Sequence, residues 1–230
     1  MKKLNGITDV FFDLDHTLWD FDKNSALTFE KIFEMNKIKI HLDAFLSFYE
    51  PINLNYWKLY REERIDKASL RFGRLHDAFE ALDFKVPEDM IYRLSSDYIE
   101  HLPSFNHLFD HTLEILDYLY RNYNLHIITN GFEEVQHGKL INSKIYNYFK
   151  TITNSEKVGV KKPHPKIFNH ALKVANVNAG QSVMIGDNYE ADILGAINIG
   201  MDAIFVGASY KEVYRTVKRV DDLIQIKRYL

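Results

Sequence analysis

The chain has 230 residues, 46% hydrophobic and 27% charged, enough for one large globular domain or for a core with an inserted module. Its 29 Lys and Arg against 32 Asp and Glu leave a net charge of −3, which gives no electrostatic case for gripping a nucleic-acid polymer. The absence of cysteine excludes a disulfide framework and a thiolate metal site, and suits a reducing compartment. No apolar run approaches the length of a membrane span. In the opening MKKLNGITDVFF, Asn5 and Asp9 interrupt any stretch that could serve as a secretory signal, so a soluble cytoplasmic protein is expected.

The first element in chain order is a short apolar strand, Val10-Phe11-Phe12, ending at Asp13 and Asp15, with Thr17 two residues further on. Alternation along a strand predicts that Asp13 and Asp15 point the same way off its carboxyl end while Leu14 turns into the core. Open α/β sheets hold their ligands there. Carboxylates this close ask for a compensating cation, and oxygen ligands suit Mg²⁺ better than Zn²⁺. One metal-bound acid beside a free one is also the equipment of covalent phosphoryl transfer. A turn after a buried strand accounts for the pair about equally well.

From Asp22, a helix-capping residue, to Leu102 the pattern stays helical. Phe45, Phe48, Tyr49 and Leu59 mark one long helix, Leu70 to Leu82 a second, and Pro87 opens a third. A helical block of about 80 residues is too long for a crossover between strands. It is expected to be an inserted cap domain, residues 21–103, with Pro103 and Ser104 as the return hinge and residues 1–20 and 104–230 as the core.

The remainder alternates. A helix from His111 to Tyr120 precedes a strand, Leu125 to Ile128, ended by Thr129-Asn130-Gly131. A helix Glu133–Asn142, a brief strand Thr151–Thr153, the segment KKPHPKIF and a helix Ile167–Ala175 follow. Next come a strand Ser182–Ile185 ended by Gly186-Asp187, a helix running to Gly200, a strand Asp202–Val206, a short segment near Val217–Val220 and a last helix opened by Asp221. This alternation predicts an α/β fold, a Rossmann-like doubly wound parallel sheet with the all-helical cap inserted.

Three strands thus end in polar, small-residue turns. Thr129-Asn130-Gly131 offers a hydroxyl and open backbone N–H groups before a helix, an anion site or an ordinary turn. Lys162 is held extended by Pro163 and could neutralise a nucleophilic carboxylate and a phosphate oxygen together. Asp187 follows a buried strand and can complete a metal site with Asp13 and Asp15. Asp192, five residues on, suits a partner for Lys162 or a metal-bound water, or simply an acid favoured by the helix dipole.

The ordered set D-x-D-x-T, T-N-G, K-P and G-D-x-x-x-x-D resembles the haloacid dehalogenase superfamily of aspartate-nucleophile phosphotransferases, and the insert is similar to its C1-type cap. The resemblance implies Asp13 as nucleophile and Asp15 as proton shuttle. It implies Mg²⁺ on the carboxylates of Asp13 and Asp187 and the backbone carbonyl of Asp15. Thr129, Asn130, Gly131 and Lys162 would hold the phosphoryl oxygens. Two positions depart from the pattern: His164 stands where K-P-D-P has Asp, and Asn188 where Ser or Thr is common. The second acid, Asp15, argues against carbon–halogen chemistry.

The segment WKLYREERIDKASLRFGRL and motif-one FFDLDHTLWDF are most similar to the pyrimidine 5′-nucleotidase branch, so a nucleoside monophosphate such as dUMP or dTMP is the expected substrate. Trp57 or Tyr60 would stack on a base, and Arg61 and Arg71 would reach the substrate; packing of the cap helices and their solvated face is the competing account. Alternatives are a phosphomutase of the β-phosphoglucomutase type, a sugar or glycolate phosphatase, and a non-enzymatic phosphate sensor. His107 and His111 lie one helical turn apart but lack a third zinc ligand, and are expected to be surface residues. Nothing in the pattern separates a monomer from a homodimer.

Overall fold

The computed structural model describes residues 3–207 and 217–230. Met1 and Lys2, part of the stretch weighed as a signal, lie outside the described residues. The chain divides into two compact units, Met1–Phe21 with Asn106–Leu230, and Asp22–Phe105.

The first unit is built on six parallel strands, β1 (Asp9–Phe12), β2 (Asn124–Thr129), β3 (Phe149–Asn154), β4 (Ser182–Gly186), β5 (Asp202–Val206) and β6 (Lys218–Val220), in the order β3-β2-β1-β4-β5-β6. All of β1 and β4 is buried, as continuous apolar strands in a sheet covered on both faces must be. The chain builds outward from β1 through β2 to β3, then returns to β1's other side with β4. The direction of winding therefore reverses between β1 and β4, and the crevice at such a reversal is where open sheets bind ligands. Phe12 pairs with Ile185, which sets the two strand ends level. Phe11, Ile128, Ile167, Phe168, Met184 and Ile193 form the core on one face, each burial contributing about 1.5–3 kcal/mol.

The second unit contains α1 (Phe21–Met35, begun on the last residue of the first unit), α2 (Leu42–Arg61), α3 (Lys67–Ala81) and α4 (Glu88–His101). Its core is aromatic: the Phe29 ring lies 4.8 Å from Phe45, 4.6 Å from Tyr49 and 4.8 Å from Tyr98. Asp66 caps α3 by accepting from Ser69 N at 2.7 Å, and Pro87 occupies the extended N-cap position of α4.

The first unit adds α5 (Thr112–Tyr120), α6 (Glu133–Asn142), α7 (Ser155–Val158), α8 (Pro165–Ala175) and α9 (Gly195–Ile197). Its two outlets toward the insert are joined within the unit: Trp19 and Leu108 form an antiparallel bridge, with Phe109 N donating to Leu18 O and Asp20 N to His107 O.

Several predicted elements need correction. β3 is longer than Thr151–Thr153, and α8 starts two residues before Ile167 because Pro165 is well suited to a first helical turn and the His164 Nδ1 accepts from Lys166 N. The helix expected after β4 opens instead as a wide π turn, Tyr189–Leu194, before α9; Gly200 does adopt a left-handed conformation, φ +85°. The last helix is a 3₁₀ segment, Leu223–Arg228, capped by Asp222 rather than opened by Asp221. His107 and His111 precede α5 and so do not share a helical face; His111 Nδ1 instead pairs with Asp222 at 2.8 Å. Among the described residues no helix is long and apolar enough to cross a membrane.

Candidate active site

The site forms where β1 and β4 end. Asp13 N donates to Ile185 O at 2.9 Å, carrying the strand pairing one residue past β1, and Leu14 turns into the core as expected. The chain then reverses tightly: Leu18 N and Trp19 N both donate to Leu14 O, and His16 takes a left-handed conformation at φ +59°. Thr17, fully buried, accepts from Asp187 N at 3.1 Å and donates to Asp187 Oδ1 at 3.3 Å, tying this loop to the end of β4.

Lys162 is the centre of the arrangement. Its buried Nζ donates to Asp13 Oδ1 and to Ile128 O, both at 2.7 Å, and makes an ion pair at 2.7 Å with Asp192 Oδ1, which accepts no hydrogen bond. The Asn130 side chain grips its backbone from both sides, Nδ2 donating to Lys162 O at 3.0 Å and Oδ1 accepting from Lys162 N at 2.8 Å. The Asn130 side chain therefore positions the lysine loop.

The T-N-G turn departs from its expected use in one respect: Gly131 N donates to Thr129 Oγ1 at 3.1 Å, so this N–H is already engaged. What Gly131 supplies is room, since a Cβ there would sit 2.1 Å from the Gln136 Nε2. Thr129 Oγ1 accepts both this bond and one from Gln136 at 2.6 Å; its lone pairs are used and its own O–H is left to donate.

Asp13 and Asp15 are held by different partners, and both lie past the end of β1 at Phe12. Asp15 turns to α6, where Lys139 Nζ lies 2.6 Å from Oδ1 and Gln136 Nε2 2.9 Å from Oδ2. The Lys139 ammonium is itself buried against the Trp19 indole, 4.1 Å from the ring centroid. Sequence reasoning missed Gln136 and Lys139. Their signal was present: both stand on the buried stripe of α6 with Val135 and Leu140, where a solvated lysine would not be.

Carboxylate oxygens of Asp13, Asp187 and Asp192 all lie within 4.8 Å of one another. Burial first, and then the neighbouring Asp13 and Asp192, push Asp187 well above the usual carboxylate range. Burial likewise raises Asp13 to about 7, against the pull of Lys162. Burial alone would lower the Lys162 ammonium, but Asp13 and Asp192 outweigh it and hold it at about 12. Three acids against one lysine leave a surplus of negative charge with hard oxygen donors only, a set that fits Mg²⁺. Asp192 reaches the cluster because Gly186 leaves space: a Cβ there would fall 2.3 Å from Asp192 Oδ2. Asn188 does the capping that Ser or Thr would do, its Oδ1 accepting from Ala191 N at 2.9 Å, while its own N–H donates to Asp192 Oδ2. A cleft of about 490 Å³, lined by His16, Thr17, Phe205 and Asp222 among others, opens onto Asp187.

Trp57, Arg61 and Arg71 lie in the helical unit. Trp57 packs edge-on to Tyr60, 5.8 Å between ring centroids, and Arg71 reaches Ser95 through Nε and Nη2, both at 3.4 Å.

Residues 10–206 match the sequence profile of a family described as haloacid dehalogenase-like hydrolase. The chain is 30% identical to pyrimidine 5′-nucleotidase YjjG of Escherichia coli K12 over 88% of this chain and 87% of that one. It is 31% identical to a glyceraldehyde 3-phosphate phosphatase of Methanothermobacter thermautotrophicus, over 96% and 98%. In fold it superposes on the putative HAD-hydrolase YfnB of Bacillus subtilis, solved bound to magnesium, with a TM-score of 0.87 at 24% identity, over 99% and 98% of the two chains.

Proposed function

The chain belongs to the haloacid dehalogenase-like hydrolase family and is one of its phosphatases, and we propose that it is a Mg²⁺-dependent enzyme that hydrolyses nucleoside 5′-monophosphates through an aspartyl-phosphate on Asp13. The observation that carries this reading is the buried Lys162 bridging Asp13 and Asp192, with Asp187 beside them. Asp13, Asp187 and the carbonyl of Asp15 would hold Mg²⁺, with Asp192 close by; when bound, the ion neutralises the acids and the phosphoryl oxygens.

Asp13 Oδ attacks phosphorus opposite the ester oxygen, so that a P–O bond to Asp13 forms as the ester P–O bond breaks. A proton on Asp15 passes to the leaving alkoxide. Asp15, now a carboxylate, takes a proton from water as the water oxygen attacks phosphorus; the bond to Asp13 breaks and phosphate leaves. Lys139 and Gln136 fix the direction of Asp15 for both transfers. Lys162 and the O–H of Thr129 hold the phosphoryl oxygens in place as charge develops. Positioning and charge compensation are the appropriate tools, since uncatalysed monoester hydrolysis is slow enough to need accelerations up to ~10²¹.

The nucleotide reading is supported by pyrimidine 5′-nucleotidases among the relatives, YjjG and PynA of Streptococcus pneumoniae. A second reading, a triose-phosphate substrate, is favoured by the Methanothermobacter relative at similar identity. Phosphate release from dUMP, dTMP, glyceraldehyde 3-phosphate and glucose 1-phosphate, by wild type and Asp13→Asn, with Mg²⁺ or with chelator, tests both. The nucleotides are expected to give the highest kcat/KM, with no release by Asp13→Asn. A preference for the triose phosphate selects the second reading, and transfer outpacing hydrolysis on glucose 1-phosphate selects a phosphomutase. No release from any ester by wild type with Mg²⁺ overturns the assignment.

A further inference from the structure

Within the helical unit, Arg74 on α3 is 2% exposed. Its guanidinium lies 5.9 Å from the Tyr49 ring centroid and 5.0 Å from that of Tyr98, and Nη1 donates to Asn53 Oδ1 at 3.0 Å. Nε is buried without an acceptor, and among the described residues no carboxylate pairs with this side chain. An arginine cannot escape burial by losing its proton, so an uncompensated guanidinium is a standing cost to the fold.

The surroundings sharpen the imbalance. Asn53 Oδ1, the amide acceptor, already serves Arg74 and also receives the Tyr49 hydroxyl at 3.4 Å. Tyr98 OH is paired with Ser25 Oγ of α1 at 2.8 Å, so its hydroxyl is engaged away from a charged partner. Burial raises both phenols, Tyr98 strongly, so neither tyrosine supplies a negative charge at neutral pH. Among the described residues Arg74 meets one amide oxygen and two aromatic faces, and no charged acceptor. A guanidinium fork is matched in shape and charge by an oxyanion.

We propose that the helical unit carries an oxyanion-binding site centred on Arg74, which takes a phosphate or carboxylate group as the counter-charge its own side chains do not provide. This goes beyond the phosphatase reading and does not rest on it.

The test is made on the full chain carrying ¹⁵N-arginine, in Tris chloride buffer, with the Arg74 Nε–H resonance identified by its loss in Arg74→Met. Inorganic phosphate and acetate are added separately to about 10 mM, where a site of millimolar affinity is nearly full. The Nε–H signal is expected to shift and saturate with at least one anion. Movement with phosphate alone, acetate alone or both identifies the source that fits. The same titration on Asp13→Asn is expected to give the same shift, so failure of the hydrolytic chemistry and failure of this site are read separately. A signal that moves with neither anion overturns the proposal. Arg74→Met supplies a second criterion: loss of an unpaired buried charge should leave the urea midpoint at or above the wild-type value, whereas a clearly lower midpoint makes Arg74 a structural strut and also overturns it.

Discussion

Replacing Asp13 by asparagine is expected to make the metal-free protein more stable while abolishing turnover. The Asp13 carboxyl, 13% exposed, titrates at about 7 in the fold against 3.8 ordinarily, so the folded state binds its proton more tightly than the unfolded chain does. Stability from this group is therefore full below pH 3.8, falls as pH rises, and levels off above about 7. Relative to low pH, this linkage costs the fold about 4 kcal/mol at pH 8 and under about 2 kcal/mol at pH 5. Asparagine mimics the protonated acid in shape and carries no charge, so Asp13→Asn escapes most of that cost; the lost pairing with Lys162 is already contained in the titration. A gain of about 2–4 kcal/mol at pH 8 is expected, less than half as large at pH 5. Urea unfolding in EDTA, followed by tryptophan fluorescence at the two pH values, measures both. With Mg²⁺ added, wild type should recover the difference and the variant much less, because the ion binds only the folded site. A variant less stable than wild type at pH 8 in EDTA, or equally favoured at both pH values, would refute the account of an acid cluster strained by its own charge.

Lys162→Met leaves Asp13 and Asp192 without their shared cation and is expected to destabilise the fold by about 3–5 kcal/mol at pH 8, with part of the loss recovered at pH 5; urea midpoints at both pH values check it. Lys139→Met should lower kcat about 10²-fold with little change in KM, and Lys139→Arg should restore most of it; an unchanged kcat removes Lys139 from the positioning of Asp15. Gly131→Ala drives a methyl against the Gln136 amide and is expected to cost about 1–3 kcal/mol and to misplace Asp15, seen as a lower thermal midpoint together with a lower kcat.

The parts of this protein legible in its sequence are those where one local rule decides. Apolar strands broken by acids read clearly at Asp13 and Asp187 because a buried parallel strand tolerates polar residues only at its ends. The helices between β1 and β2 were equally readable, their periodicity unbroken by any strand. What escaped depends on tertiary partners. Lys139 shares the stripe of Val135 and Leu140, but what it holds there shows only once Trp19 and Asp15, far off in sequence, are known to enclose it. Gly131 reads as a donor of its N–H, when its missing side chain makes way for Gln136. Arg71 drew notice in the basic stretch of α3 and Arg74 did not, since charge spacing alone does not say which arginine faces the aromatic interior. The π turn after β4 was unreadable for a related reason: its width accompanies the return of Asp192 toward Lys162, and helix propensity carries no trace of that reach.

The bridge between Trp19 and Leu108 has an evolutionary consequence. The sheet unit clips together the two chain ends from which the insert departs, so the splice point is closed by its own backbone hydrogen bonds whatever is spliced there. Lengthening or exchanging the intervening segment then costs only the slow logarithmic growth of loop entropy. The intervening segment can be rewritten at that junction while the acid cluster at the ends of β1 and β4 keeps its place.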